Sequence, residues 1–133
     1  MTPAWERIFG NIRRRRILAE VGAERDRQVY VEGMTTTADD NLTGGHLAAA
    51  AAVYARSASQ PDALNPDDAV ALGWPFHKVW WKPKSPRRDL VRAAALIVAE
   101  IERIDRAAER AEEARRRHKV EIAAAKKSHD DIH

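Results

Sequence analysis

The chain contains no cysteine, which excludes both a disulfide framework and a thiolate metal site. That fits a reducing compartment, and a cytoplasmic location is the expectation. No apolar run approaches the roughly 20 residues that cross a bilayer, so no membrane partner is expected. The arginine run near the start is followed by no long apolar segment and does not read as a secretory signal. Histidines are few and lie at unrelated spacings, with no His-x-x-x-His pair for zinc. The glycine-rich loops that cradle phosphates in P-loop and dinucleotide-binding proteins are also missing. Proline is scarce, and five of the six prolines lie within residues 60–86. Helix breakers are thereby confined to one stretch.

What is present is charge, at 32% of residues, with a net charge of only +3. Charge is therefore segregated along the chain. Basic residues concentrate at Arg13–Arg16 and from Lys78 to Arg92, acidic ones at Asp39-Asp40, from Asp62 to Asp68 and from Glu100 to Glu113. At 133 residues the chain is long enough for one domain with a modest core.

Hydrophobic spacing predicts an all-α fold: a small helical bundle with a long C-terminal helix and an irregular Trp/Pro-rich loop. Residues 4–31 read as helical, with Gly10 and Gly22 each weakening the helix by about 1 kcal/mol relative to alanine. Thr35 to Asn41 reads as a polar loop. Thr43 is the expected N-cap of an alanine-rich helix from His46 to Ser59, whose small side chains suit a central position. Asn65-Pro66 predicts a short helical turn. Ser85 and Pro86, as N-cap and first helical residue, open the strongest element. There Leu90, Ala94, Ile97, Ile101, Ile104, Ala108 and Ala111 recur at alternating steps of three and four, a helical seam suited to self-association. The helix is expected to reach about Lys127, supported by Glu112–Arg116, Glu113–Arg117 and Arg117–Glu121 pairs, with Ser128–His133 frayed. Residues 1–133 read as one domain, with a core over about 4–107 and a helical extension over about 108–127.

Three of the four tryptophans, Trp74, Trp80 and Trp81, fall within eight residues and among cations. Rings stack on a base while guanidinium and ammonium groups hold phosphate. Adjacent residues seldom both point into one core, so Trp80 and Trp81 read as a ligand platform, with Lys82, Arg87 and Arg88 as phosphate holders. The start of the long helix adds its free N–H groups to that anion affinity. Glu24, Arg27 and Gln28 share one helical face, which is either the wall of a polar pocket or an exposed surface. Glu24 and Gln28, with Asp39 and Asp40, can accept hydrogen bonds from ribose or base edges, while Arg27 joins the phosphate holders. A metal alternative rests on Glu100, Glu102 and Asp105, since a Glu-x-x-Asp pair on a helix can hold Mg²⁺ through oxygen. The alanine-rich helix supplies no carboxylate to complete it. A third alternative is a nucleic-acid or host-protein binder using Arg13–Arg16.

An ordered set of blocks extends this reading: Glu24-Arg-Asp-Arg-Gln28, Glu32-Gly-Met-Thr35, Asp39-Asp40, Gly45-His-Leu-Ala-Ala-Ala-Ala, Trp80-Trp-Lys-Pro83, Arg88-Asp-Leu-Val-Arg-Ala-Ala-Ala-Leu96 and Ala99-Glu-Ile-Glu-Arg-Ile-Asp105. Over residues 18–106 it resembles a group of short phage- and prophage-encoded proteins. Those proteins carry tryptophan where Met34 stands and glutamate where His46 stands. The order of elements is also similar to the ryanodine-receptor repeat domain, and the Glu-x-x-Asp helix to MazG-like pyrophosphohydrolases. The phage group is mostly of unassigned function, and the two further similarities point toward nucleotides. With the residues above, the expectation is a phage-type nucleotide-binding protein of the host cytoplasm, an anti-defence sponge that sequesters an immune signalling nucleotide without catalysis and without a cofactor. A Mg²⁺-dependent MazG-like pyrophosphohydrolase is the enzymatic alternative. The expected partners are a nucleotide and further copies of the chain, with the seam of the long helix between subunits.

Overall fold

The computed structural model describes residues 1–132. Its elements are α1 (Ala4–Tyr30), α2 (Thr36–Asp40), α3 (His46–Ala58), α4 (Pro66–Ala71), a 3₁₀ turn (Lys78–Trp80) and α5 (Pro86–Ile132). No strand occurs among the described residues, and the expected all-α class holds. The chain divides into two units, residues 1–101 and the segment from Glu102 onward.

Short-range chemistry sets most boundaries of the first unit. Asn65 accepts the Asp68 backbone N–H at 2.9 Å and starts α4, with Pro66 at its first position. Ser85 accepts the Arg88 N–H at 3.2 Å and starts α5. Two boundaries differ from the sequence reading. The segment expected as a polar loop contains α2, because the Thr35 hydroxyl accepts the Ala38 N–H and caps a helical turn. The start of α3 uses Gly45 in place of Thr43. Gly45 adopts φ +80°, a left-handed conformation that reverses the chain directly into the helix and is cheap only without a Cβ. Gly10 and Gly22 do not interrupt α1, which runs unbroken for 27 residues.

The core sits on α3. Leu47, Ala50, Ala51, Val53 and Tyr54 pack with Ala69 of α4, with Trp74 and Trp81 of the excursion, and with Ala93, Leu96 and Ala99 of α5. Alanine on both α3 and α5 lets the two backbones approach, and aromatic rings fill the space beside them. Val21 of α1 packs separately with Val91 and Ala95. The excursion is tied down by polar atoms turned inward. The Ser57 hydroxyl accepts the Leu64 N–H at 3.0 Å, and the Arg92 guanidinium donates to the Lys82 carbonyl at 2.7 Å.

α5 buries Asp89, Val91, Arg92, Ala93, Ala95, Leu96, Ala99 and Glu100. At 100° per residue, Leu90, Ile97 and Ile101 lie on roughly the opposite side of the helix, and all three are exposed. In the second unit, helix persists to Ile132, past the end expected near Lys127. The expected fraying of Ser128–His133 is therefore not seen through Ile132, and His133 lies outside the described residues. Ion pairs there include Glu112–Arg115 and Glu113–Arg116, one residue closer in sequence than expected. Both are solvent-exposed and contribute little.

Candidate functional site

The residues singled out on α1 meet the start of α5. The Glu24 side chain is fully buried, while those of Arg27 and Arg88 are 32% and 33% exposed. Arg27 grips Glu24 with two bonds, Nε to Oε2 at 2.8 Å and Nη2 to Oε1 at 2.7 Å. Arg88, from α5, donates to the same Oε2. One buried carboxylate thus orients two guanidiniums from different helices, leaving part of each in solvent. Arg27 Nη2 also donates to Glu32 at 2.6 Å, at the outer edge of the network. Burial alone would push the Glu24 carboxyl up. The Arg27 hydrogen bonds and the charges of Arg27 and Arg88 outweigh it and hold the group below its ordinary value. Arg27 is correspondingly raised, first by its bond to Glu24.

Gln28, one turn on from Glu24, is buried, and its side-chain oxygen has no hydrogen-bond partner. The exposed-surface option for Glu24 and Gln28 is thereby excluded, since both are 2% exposed. Asp39 sits at the C-terminal end of α2 and pairs with Arg25 at 2.6 Å, both buried. Its position is that of an anchor joining the loop after α1 to the helix. Asp40 beside it is half-buried. Arg87 pairs with Glu20 on the surface and donates to its Oε1 at 3.0 Å, and that hydrogen bond lowers Glu20. Arg92, one turn beyond Arg88, lies over the Tyr54 ring at 5.9 Å. Burial raises the Tyr54 hydroxyl above its ordinary value, against the opposing pull of Arg92.

The paired tryptophans separate. Trp80 is 65% exposed and Trp81 only 4%. The Trp81 ring meets Tyr54 at 4.7 Å and Trp74 at 5.1 Å between centroids, and its N–H donates to the Leu64 carbonyl at 2.7 Å. Trp81 is therefore a core residue in place of the expected stacking platform. One residue step turns the side chain to the other side of the backbone, so burying Trp81 leaves Trp80 outside. The Trp80 ring carries the Lys82 ammonium at 5.8 Å. At the start of α5, where free N–H groups are expected to add anion affinity, the Arg88 N–H is taken within the chain. Ser85 takes the Arg88 N–H, and the buried Asp89 carboxylate accepts the Lys84 N–H at 2.9 Å.

Glu100 is buried, whereas Glu102 and Asp105 are exposed. Among the described residues no three His, Asp or Glu side chains gather as a metal ion requires. Of the expected site residues, the structure joins Glu24, Arg27 and Arg88, with Gln28 on the same face. It gives Arg87 and Asp39 other partners. Arg25, Glu32 and Asp89 were not among the expected site residues, whereas Arg92 belongs to the basic run read from Lys78 to Arg92 and is spaced to share a face with Arg88. Comparison of the chain with family models, with curated proteins and with solved structures gives no match.

Proposed function

We propose that this chain is a binding protein for an anionic small molecule of the nucleotide class, recognised at the Glu24–Arg27–Arg88 network. The observation that carries the reading is the convergence of two part-exposed guanidiniums on one buried carboxylate. Guanidinium forks bind phosphate oxygens in a bidentate manner, and a buried carboxylate that fixes their planes lowers the entropy lost on binding. A phosphate would replace Glu32 on Arg27 and engage the outward N–H groups of Arg88. Gln28 would offer its amide to the ligand, and Trp80 with Lys82 an exposed ring and a charge. Trp81 supports the excursion from within. In a phage-infected cell such a protein would act by sequestering a signalling nucleotide.

The reading includes further copies of the chain. Leu90, Ile97, Ile101 and Ile104 of the α5 seam are all about half exposed, as a helix seam awaiting a partner helix would be.

The test is mass spectrometry of small molecules released by heat from purified protein, after incubation with mixed nucleotides and Mg²⁺. Intact nucleotide in proportion to wild-type protein, and its loss from the Arg27→Ala and Arg88→Ala variants, is the expected result. Accumulation of monophosphate and pyrophosphate would replace the proposal with hydrolysis and move attention to Glu100, Glu102 and Asp105. Recovery of nothing would end it.

A further inference from the structure

The first half of α1 carries a face that the fold does not use. Trp5, Ile8, Phe9 and Ile12 are 60%, 58%, 60% and 46% exposed. Their spacing is i, i+3, i+4, i+7, which at 100° per residue gathers them within an arc of roughly 100°. The residues that α1 buries are Val21, Glu24, Arg25 and Gln28. These centre roughly 160° away around the same helix. The stripe is therefore turned away from the face that holds α1 in place, and something outside the fold can reach it without disturbing that packing. Trp5 and Phe9 meet edge to face at 6.4 Å between centroids.

Charge restricts what can cover the stripe. Met1 to Ala19 holds five arginines against one acid, Glu6. Arg13, Arg14, Arg15 and Arg16 are all exposed, and none is tied to a carboxylate among the described residues. On the same wheel Arg15 falls just outside one border of the apolar arc and Arg16 just inside the other, and Glu6 falls outside it. A second copy seated here would double the positive charge. Nucleic acid would use the arginines but has no place for the aliphatic Ile8 and Ile12 of the stripe. An aromatic and aliphatic stripe bordered by arginines is the composition of a helix that lies in the headgroup layer of an anionic membrane. There the rings enter the acyl boundary and the guanidiniums reach phosphate and carboxylate headgroups.

We propose that residues 4–16 of α1 form an interfacial helix that docks this chain on an anionic lipid surface, without any segment crossing it. The sequence supplies no spanning run, and no helix of the described residues is long and apolar enough to cross a membrane. Surface docking needs neither. The site is separate from the Glu24–Arg27–Arg88 network, and its variants leave that network intact.

The experiment is flotation of the full chain with vesicles of phosphatidylcholine alone, and of phosphatidylcholine mixed with phosphatidylserine. Binding to the mixed vesicles is expected to exceed binding to phosphatidylcholine by at least about tenfold and to weaken with salt. The Trp5→Ala/Phe9→Ala variant and the Arg15→Gln/Arg16→Gln variant are each expected to lose at least about tenfold. Both alter exposed side chains, and an unchanged thermal unfolding transition confirms that each variant is folded. Three results overturn the proposal. One is no flotation with either vesicle. Another is flotation of wild type and both variants alike. The third is a change of sedimentation coefficient in the Trp5→Ala/Phe9→Ala variant without any vesicle binding by wild type, which would assign the stripe to a second copy.

Discussion

Glu24 concentrates the electrostatics of the first unit in one side chain. Its folded-state carboxyl is held below the ordinary value of 4.5, so it favours the folded state wherever it is ionised. The stability it adds is complete above about pH 4.5 and is lost as pH falls through the lower, folded value. Glu24→Gln should therefore flatten the acid limb of the stability profile. At neutral pH it should cost about 2–3 kcal/mol, somewhat less than a fully buried pair because both arginines are part-exposed. Urea unfolding between pH 3 and pH 7 checks this, and an unchanged acid limb would show that other carboxylates set it. The tryptophan pair gives a second comparison. Trp81→Ala should cost about 3–5 kcal/mol by opening the core and leaving the Leu64 carbonyl without its donor, whereas Trp80→Ala should stay within about 0.5 kcal/mol. Nucleotide retention should follow the opposite order of interest: a stable Trp80→Ala protein that has lost affinity would assign the exposed ring to the ligand. At this scale the sequence says that adjacent tryptophans seldom share one core, which does not place both of them on a ligand. It does not show which one is inside, because that depends on Tyr54, Trp74 and the Leu64 carbonyl across the fold. The burial of Glu24 was equally hidden, since its second arginine lies 64 residues away.

The helices were legible where their signals are local. Asn65 and Ser85 cap their own helices within three residues, so composition alone locates both starts. The loop from Thr35 and the start of α3 were read less well. A threonine cap followed by two aspartates resembles a polar loop until the backbone closes, and a left-handed glycine leaves no side-chain signature. These elements make opposite predictions for glycine. A Cβ at Gly22 meets nothing within 4 Å and the residue lies inside an unbroken helix, so Gly22→Ala should stabilise by about 0.5–1 kcal/mol. A Cβ at Gly45 also meets nothing, but φ there is +80°, so Gly45→Ala should destabilise by about 1 kcal/mol from backbone strain alone. Thermal unfolding of the two variants separates space from conformation. If both raise the transition temperature, the left-handed start of α3 is not maintained in solution.

For the molecule as a whole, the apolar residues outnumber the places the fold provides for them. α3 and one side of α5 take up the alanines, Leu47, Leu96 and the buried aromatics, while Leu90, Ile97, Ile101 and Ile104 remain about half exposed. The seven-residue rhythm that made α5 the most legible element is thus spent on the outside, and the core is built from the less conspicuous residues between. That separation allows a clean test of self-association. Ile97→Asp/Ile101→Asp places charge on a surface the fold does not pack, so unfolding of the dilute monomer should shift little. Against a helix seam from a second copy the same charges would be buried without partners, which is prohibitive. Sedimentation should therefore show wild-type chains associating with increasing concentration and the variant remaining monomeric at the same concentrations. If wild type is monomeric throughout, the seam does not bind itself. If the variant associates like wild type, the contact lies elsewhere. Because the α1 stripe is a different surface, Trp5→Ala/Phe9→Ala should leave this association unchanged while reducing vesicle binding. The two apolar faces are then assigned separately: the seam on α5 to another copy of the chain, and the stripe on α1 to lipid.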